Sequence, residues 1–283
     1  GLDVAHVDIA LRQASAVQAL ADVDAALAAV VTSRDGGLTF PVQTSFPGTS
    51  LAGDWELPPV PMYLHDGTLV LPRTEAAGPV VYVSHDDGAT FERHEAWRGP
   101  VPRSDAYPIA AEDAAGNVYL VTGQLVDGTI RTFWSVSRDG GASWAPPREA
   151  TTAPGVQMYS WAAAGPEGRL ILSFYENPTG AGESDEARGD WWLKVVVVDA
   201  ADGAAPVQRE ARVLPTPVHH GRICNWSTPD GCGRVCQPFA CVSKPTEPGE
   251  GPMLGDYMGI AMDAEGRALV AFQDTTKGQQ VYV

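Results

Sequence analysis

Positive charge is scarce in this chain. Lys and Arg number 19 against 35 Asp and Glu, a formal net charge of −16. Nucleic acid and anionic membrane surfaces would repel it. The surplus reads more simply as solubility, including in a salty medium, than as recognition of a cationic partner. Long apolar runs are missing too, so no membrane-crossing helix is indicated and no membrane insertion is expected. A charged-then-apolar leader is also absent, and the chain opens at Gly1. That start reads as a processed form or a fragment.

Cysteine is absent everywhere except in one window. Cys224, Cys232, Cys236 and Cys241 all lie in "CNWSTPDGCGRVCQPFAC". A zinc site usually shows a close Cys pair, a longer spacer and a second pair, and that pattern is missing. Four cysteines in a loop rich in Gly, Pro and Asn read as two disulfides, with a metal site and free thiols as alternatives. Disulfides imply an oxidising compartment, extracellular or periplasmic. Three pairings are open.

What the chain has in abundance is turn chemistry and repetition. Its 30 Gly and 23 Pro are scattered, so they mark many turns rather than a disordered tract. The octet "SRDGGLTF" at 33–40 returns as "SHDDGATF" at 84–91 and "SRDGGASW" at 137–144. Four apolar stretches with a glycine turn keep the same beat, at Gly67, Gly116, Gly168 and Gly266. The steps between these glycines are 49, 52 and 98 residues. The last step is two periods, or one period plus an insertion. The cysteine window falls inside it, which favours an insertion at about 216–255.

Each unit has strand grammar. "PIAAED" leads through a Gly-Asn turn to "VYLVTGQL", and a "DG" turn leads to "TIRTFWSVS". The runs are β-branched and aromatic, and Gly, Asn and Asp join them. Four short antiparallel strands every fifty residues or so is the pattern of a β-propeller blade. The spacing predicts blades near 51–104, 105–157 and 158–215, with incomplete units at each end of one domain spanning 1–283. About five units are readable. Residues 11–31 are Ala-rich and favour helix by composition. Their end, "ALAAVVTSRDGG", occupies the place of a strand entering an octet, so residues 26–33 read as strand and 11–25 stay open.

The octets resemble the Asp-box, or bacterial neuraminidase repeat, of the sialidase superfamily. The matching positions are Ser33, Asp35, Gly37, Thr39 and Phe40; Ser84, Asp86, Gly88, Thr90 and Phe91; and Ser137, Asp139, Gly141, Ser143 and Trp144. The resemblance covers most of the chain. It implies a six-bladed all-β propeller of four-stranded blades, with each octet joining the third and fourth strands away from the active site. Asp35, Asp86 and Asp139 would then be scaffold residues. The physical reading agrees, because an Asp before a positive-φ Gly can cap backbone N–H groups within a tight turn. Direct ligand or calcium contact by the octets is the other reading. No cofactor is called for.

A propeller places chemistry at the opposite mouth, where the innermost strands begin. Those starts read "GDWELP", "RSDAYP", "QMYSWA" and "LGDYMG". Glu56, Asp105, Tyr159, Asp256 and Tyr257 are candidate catalytic groups, and Asp54, Trp55, Arg103, Tyr107 and Trp161 candidate substrate contacts. Carboxylates for proton transfer and aromatics for stacking suit a sugar. The plainer reading is that such residues tie neighbouring blades together. A sialidase would also carry a Phe/Tyr-Arg-Ile-Pro motif and an arginine triad. The motif is absent, and Arg73, Arg103, Arg222 and Arg234 sit in no identifying context. His219 and His220 read as surface-loop histidines, or as acid/base or metal ligands. The loop 176–190 is acidic enough for a calcium ion, though solvation explains it as well.

Two functions of different class follow. One is a secreted sialidase-like propeller that binds or processes a glycan or glycoprotein, as a hydrolase or lyase. The other is a non-catalytic propeller used for binding or as a scaffold, with a protein partner.

Overall fold

The computed structural model describes residues 28–46, 60–102, 107–182, 187–223, 235–237, 240–242, 254, 258–276 and 280–282. Those residues are all-β, with no helix among them. Two strands open the described chain, β1 (Ala28–Thr32) and β2 (Val42–Phe46), paired antiparallel. A four-stranded sheet follows: β3 (Met62–Tyr63), β4 (Leu69–Glu75), β5 (Gly78–Ser84) and β6 (Glu92–Glu95). The next has the same plan: β7 (Ile109–Glu112), β8 (Val118–Val126), β9 (Thr129–Ser137) and β10 (Arg148–Glu149).

The third is β11 (Val156–Ala164), β12 (Leu170–Asn177), β13 (Asp190–Asp199) and β14 (Val207–Arg212), to which β15 (His219–His220) adds beside β13. A hairpin of β16 (Val235–Gln237) and β17 (Ala240–Val242) comes next. The described chain closes on a three-stranded sheet, β18 (Gly259–Met262), β19 (Ala268–Asp274) and β20 (Gln280–Tyr282).

Local chemistry explains these boundaries. Each predicted turn glycine has positive φ: 88° at Gly67, 84° at Gly116, 70° at Gly168 and 79° at Gly266. Asp127 and Gly128 both have positive φ, 49° and 75°, the twist that a two-residue hairpin between β8 and β9 needs. β1 falls within the segment read as strand, while residues 11–25 lie outside the described residues. Between β14 and β18, the described residues contain β15 and the β16–β17 hairpin but no further four-stranded sheet.

The sheets pack face to face in chain order. Val70, Val81 and Val83 of the first four-stranded sheet meet Val118, Leu120 and Phe133 of the second. Tyr119, Val121, Trp134 and Val136 of the second meet Leu172, Phe174, Val196 and Val198 of the third. Met158, Tyr175, Trp191 and Leu193 of the third meet Phe272 of the last and Met258 just before it. Sandwiched in this way, β4, β8 and β12 are buried on both faces along most of their length. Hydrogen bonds cross each junction, among them Gly168 N–H to Asp113 Oδ2 at 2.8 Å.

The three octets fold into the same hydrogen-bonded cage. In 84–91 the Ser84 hydroxyl donates to Asp86 Oδ1 at 2.9 Å and accepts from Gly88 N–H at 2.8 Å. Asp86 accepts from Thr90 N–H at 2.8 Å and from the Thr90 hydroxyl at 2.7 Å. The same four bonds recur in 33–40 and in 137–144. Hydrogen bonds from Thr39 hold the Asp35 carboxyl down at about 2, and those from Thr90 do the same for Asp86. In the last octet the fifth position also packs outward. A Cβ at Gly141 would stand 3.3 Å from Val83 Cγ2 and 3.5 Å from Val81 Cγ1, on the preceding sheet.

One expectation needs correction. His219 is not a surface-loop residue: it is fully buried on β15. Its Nε2 donates to Arg222 O at 2.8 Å, and its Nδ1 lies 2.8 Å from Thr275 Oγ1. A carbonyl only accepts, so Nε2 carries a proton. β15 is pinned to β13 at Trp191, and that pairing draws His219 into the core. His220 is half-exposed and lies 2.7 Å from Asp190.

Candidate functional site

The units have two chemically different ends. Glycine turns and octets occupy one. At the other, the first strands begin, the second strands end and the third strands start. That second end is where the candidate residues were expected. Asp54, Trp55, Glu56, Arg103, Asp105, Asp256, Tyr257 and Arg234 lie outside the described residues, as do Cys224 and Cys232. Cys236 and Cys241 stand opposite each other across the β16–β17 hairpin.

Tyr107, Tyr159 and Trp161 are described. Tyr107 is half-buried just before β7. Tyr159 has a φ of 58°, a backbone position that a bulky side chain seldom takes. The pairing of β11 with β12 slips between Met158 and Trp161, so a β-bulge accommodates it. The Tyr159 ring is 3% exposed and stands edge-on to Tyr175, centroids 6.4 Å apart. Burial pushes the Tyr175 phenol well above its ordinary range, and its oxygen accepts Gln273 N–H from β19 at 3.3 Å. Trp161 is half-buried where two of the inter-sheet cores meet. Tyr159 and Trp161 therefore contribute to packing in this structure.

The same end carries a set of polar residues that the motif reading passed over. Counting eight residues from each turn glycine reaches Glu75, Gln124, Glu176 and Asp274 in turn. Glu75 accepts from the Tyr82 hydroxyl at 2.9 Å and from Arg93. Gln124 accepts from Trp97 Nε1 of the preceding sheet at 2.9 Å. Asp274 is fully buried and accepts from Thr276 N–H at 2.9 Å. The repeat count was the signal that would have found them.

Glu176 lies at the centre of the densest polar group. Gln157, Glu176 and Trp192 sit opposite one another across β11, β12 and β13. The buried Lys194 ammonium contacts the Glu176 carboxylate and also reaches Glu210 Oε2 at 2.7 Å. Burial works against the Glu210 charge, but hydrogen bonds from Lys194 and Thr151 outweigh it and keep its carboxyl below the usual range. The Arg212 guanidinium lies 4.1 Å over the Trp192 ring. From the facing sheet, Thr132 N–H donates to Gln157 Oε1 at 2.8 Å. Gln157 Nε2 and Thr132 Oγ1 are buried without a hydrogen-bond partner among the described residues.

This cluster is polar and internally neutralised, and Gln157 and Glu176 are at most 2% exposed. Its acids are paired, so none of them is placed as a free base. Among the described residues, no group of three His, Cys, Asp or Glu side chains is set to hold a metal ion.

No protein-family model matches the chain, and no curated protein matches it. Solved structures with a similar trace include a Dyadobacter fermentans protein of unknown function. It is 14% identical at a TM-score of 0.46, over 89% of this chain and 62% of that one. The NanB sialidase of Streptococcus pneumoniae is 14% identical at a TM-score of 0.47, over 87% of this chain and 32% of that one. An ulvan lyase is 14% identical at a TM-score of 0.41, over 79% of this chain and 54% of that one. The chain thus spans from about a third to about three fifths of the length of these proteins. Identities this low are carried no further than the trace.

Proposed function

We propose that the chain is a sialidase-type β-propeller, or part of one, that binds or acts on carbohydrate outside the cytoplasm. The observation that carries this reading is internal to the chain. Three octets build the same cage, one between the paired strands β1 and β2 and two within four-stranded antiparallel sheets that stack in chain order. Such repetition around an axis gathers the strand starts at one mouth, where carboxylates and aromatics would converge on a glycan or glycoprotein. Glycoside hydrolysis is the enzymatic form of the reading, with Asp256, Tyr257, Asp105 and Glu56 as its acid/base and nucleophile candidates. Sialic acid is not the substrate proposed, because no arginine motif for its carboxylate is present. The clustered cysteines support an extracellular or periplasmic setting.

A second reading is a non-catalytic binding or scaffold propeller. The burial of Tyr159 and Trp161 in the inter-sheet cores favours it. Binding and turnover measured on a broad glycan panel, for the parent and for Asp256→Ala and Tyr257→Ala, separate the two. The first reading expects both variants to lose binding or turnover while Tm stays within a few degrees. A parent with no ligand on the panel, together with variants that unfold, would leave only the scaffold.

A further inference from the structure

Asp followed directly by Gly occurs seven times in this chain, and six of the pairs lie in the described residues. Such a pair can react with itself. The glycine nitrogen attacks the aspartyl Cγ, and the new N–Cγ bond closes a cyclic imide with loss of a water molecule. Solvent water then opens the ring. Attack at Cγ restores aspartate. Attack at the main-chain carbonyl carbon leaves isoaspartate, in which the backbone runs through the former side chain. The reaction needs a carboxyl that is not tied down, a glycine N–H free to attack, and room for the backbone to turn.

Five of the six described pairs are held. Asp35 and Asp139 lie in octet cages, where each carboxylate accepts from a hydroxyl and from a backbone N–H. Asp66 accepts from Thr68 N–H at 2.8 Å, and Gly67 N–H donates to Leu64 O at 2.9 Å. Asp87 accepts from Arg34 Nε at 2.9 Å, and Gly88 N–H donates to the Ser84 hydroxyl at 2.8 Å. After Asp202, Gly203 N–H donates to Ala200 O at 2.9 Å. The sixth pair is Asp127–Gly128, the two-residue turn between β8 and β9. Among the described residues, neither the Asp127 carboxylate nor the Gly128 N–H has a hydrogen-bond partner. Both residues are exposed, and a Cβ at Gly128 would meet nothing within 4 Å. Gly128 has a φ of 75° and, as a glycine, takes a negative φ about as readily. The Asp127–Gly128 peptide can therefore turn over without displacing a neighbour.

We propose that Asp127 is a site of aspartate isomerisation, closed into an imide by Gly128 and opened to isoaspartate. Isoaspartate lengthens the main chain by a methylene, and a two-residue loop matched to the strand twist has no slack for it. The Val126–Thr129 pair that closes the hairpin opens as a result. Gly182, beyond β12, is bonded to the root of that hairpin. Its N–H donates to Thr129 Oγ1 at 3.3 Å, and its oxygen accepts Ile130 N–H at 3.2 Å. The modification thus loosens the end of the sheets at which the candidate site residues were expected. The inference rests on backbone chemistry and not on carbohydrate binding, so its failure leaves that reading standing.

The test is incubation of the full folded chain in neutral buffer made with heavy-oxygen water, followed by peptide mapping. Each imide takes up solvent oxygen as it opens, so a labelled peptide marks a pair that has reacted. Methyl transfer by an isoaspartate-specific methyltransferase reports the product. Label and isoaspartate are expected at Asp127 ahead of the other five described pairs, whereas the urea-unfolded chain should react at all six. Reaction in the folded chain first at another of the six, or at all of them alike, would overturn the proposal. So would a folded chain that stays unlabelled after the unfolded one has reacted. Two variants give a second readout. Asp127→Glu should lose the signal, because its longer side chain closes a ring far more slowly. Asp127→Asn should react faster than the parent at the same position, since ammonia leaves more readily than water. A folded Asp127→Asn chain that keeps its amide would show that the hairpin is held against ring closure, and the site would fall.

Discussion

Substituting Ala for the fifth-position glycine of each octet separates two roles that the sequence cannot tell apart. Gly37, Gly88 and Gly141 all have positive φ, at 90°, 85° and 95°. An L-residue there costs about 1 to 2 kcal/mol whatever surrounds it. The surroundings differ. A Cβ at Gly37 would meet nothing within 4 Å. At Gly88 it would meet Thr32 Oγ1 at 3.3 Å and Leu69 Cδ2 at 3.4 Å. At Gly141 it would meet three valines of the preceding sheet, Val83, Val81 and Val70, at 3.3, 3.5 and 3.8 Å. Those valines are buried and have little room to move, so overpacking adds about 1 to 3 kcal/mol. Gly37→Ala should therefore cost about 1 to 2 kcal/mol, Gly141→Ala about 2 to 5 kcal/mol, and Gly88→Ala should fall between them, because the Thr32 side chain can turn away. Urea unfolding followed by tryptophan fluorescence reads the differences as shifts in midpoint at constant slope. If Gly141→Ala costs no more than Gly37→Ala, the octets do not dock one sheet on the next and are turn caps alone.

Three further outcomes are expected. Lys194→Met leaves the buried Glu176 carboxylate without its ammonium and should cost about 3 to 5 kcal/mol, whereas adding Glu176→Gln should recover much of the loss; a single variant as stable as the parent in urea would refute the buried pair. Asp35 and Asp86 have carboxyls held at about 2, below the value of about 3.9 in an unfolded chain. Their contribution is whole above the unfolded value and is lost as the pH falls through the folded one, so urea midpoints should drop between about pH 5 and 2, and less steeply in Asp86→Asn. Mass spectrometry without reductant should show four hydrogens fewer than the reduced chain, with both disulfides inside residues 224–241; four alkylatable thiols in native protein would remove both the linkages and the argument for an oxidising compartment.

Much of the architecture was legible in the chain because its determinants are local. An octet closes its cage within eight consecutive residues, so Ser84, Asp86, Gly88 and Thr90 could be assigned their places from spacing alone. The turn glycines work in the same way, since positive φ is a property of one residue and its neighbours. The count of eight from those glycines was also present in the sequence, at Glu75, Gln124, Glu176 and Asp274. It stayed hidden because the side chains differ and only their position repeats.

What tertiary structure alone decided concerns partners far apart in the chain. His219 and Thr275 are 56 residues apart, and only the pairing of β15 with β13 turns a loop-like "HH" into a buried, doubly bonded ring. Gly37, Gly88 and Gly141 are identical in the sequence, yet only the last faces the valines of another sheet. Leu269 holds the position of Val70, Tyr119 and Ile171 in its unit, yet it is 54% exposed where they are buried. Turn geometry is settled by torsion angles within a few residues. Burial and ion pairing depend on which surfaces meet, and no count along the chain contains that information.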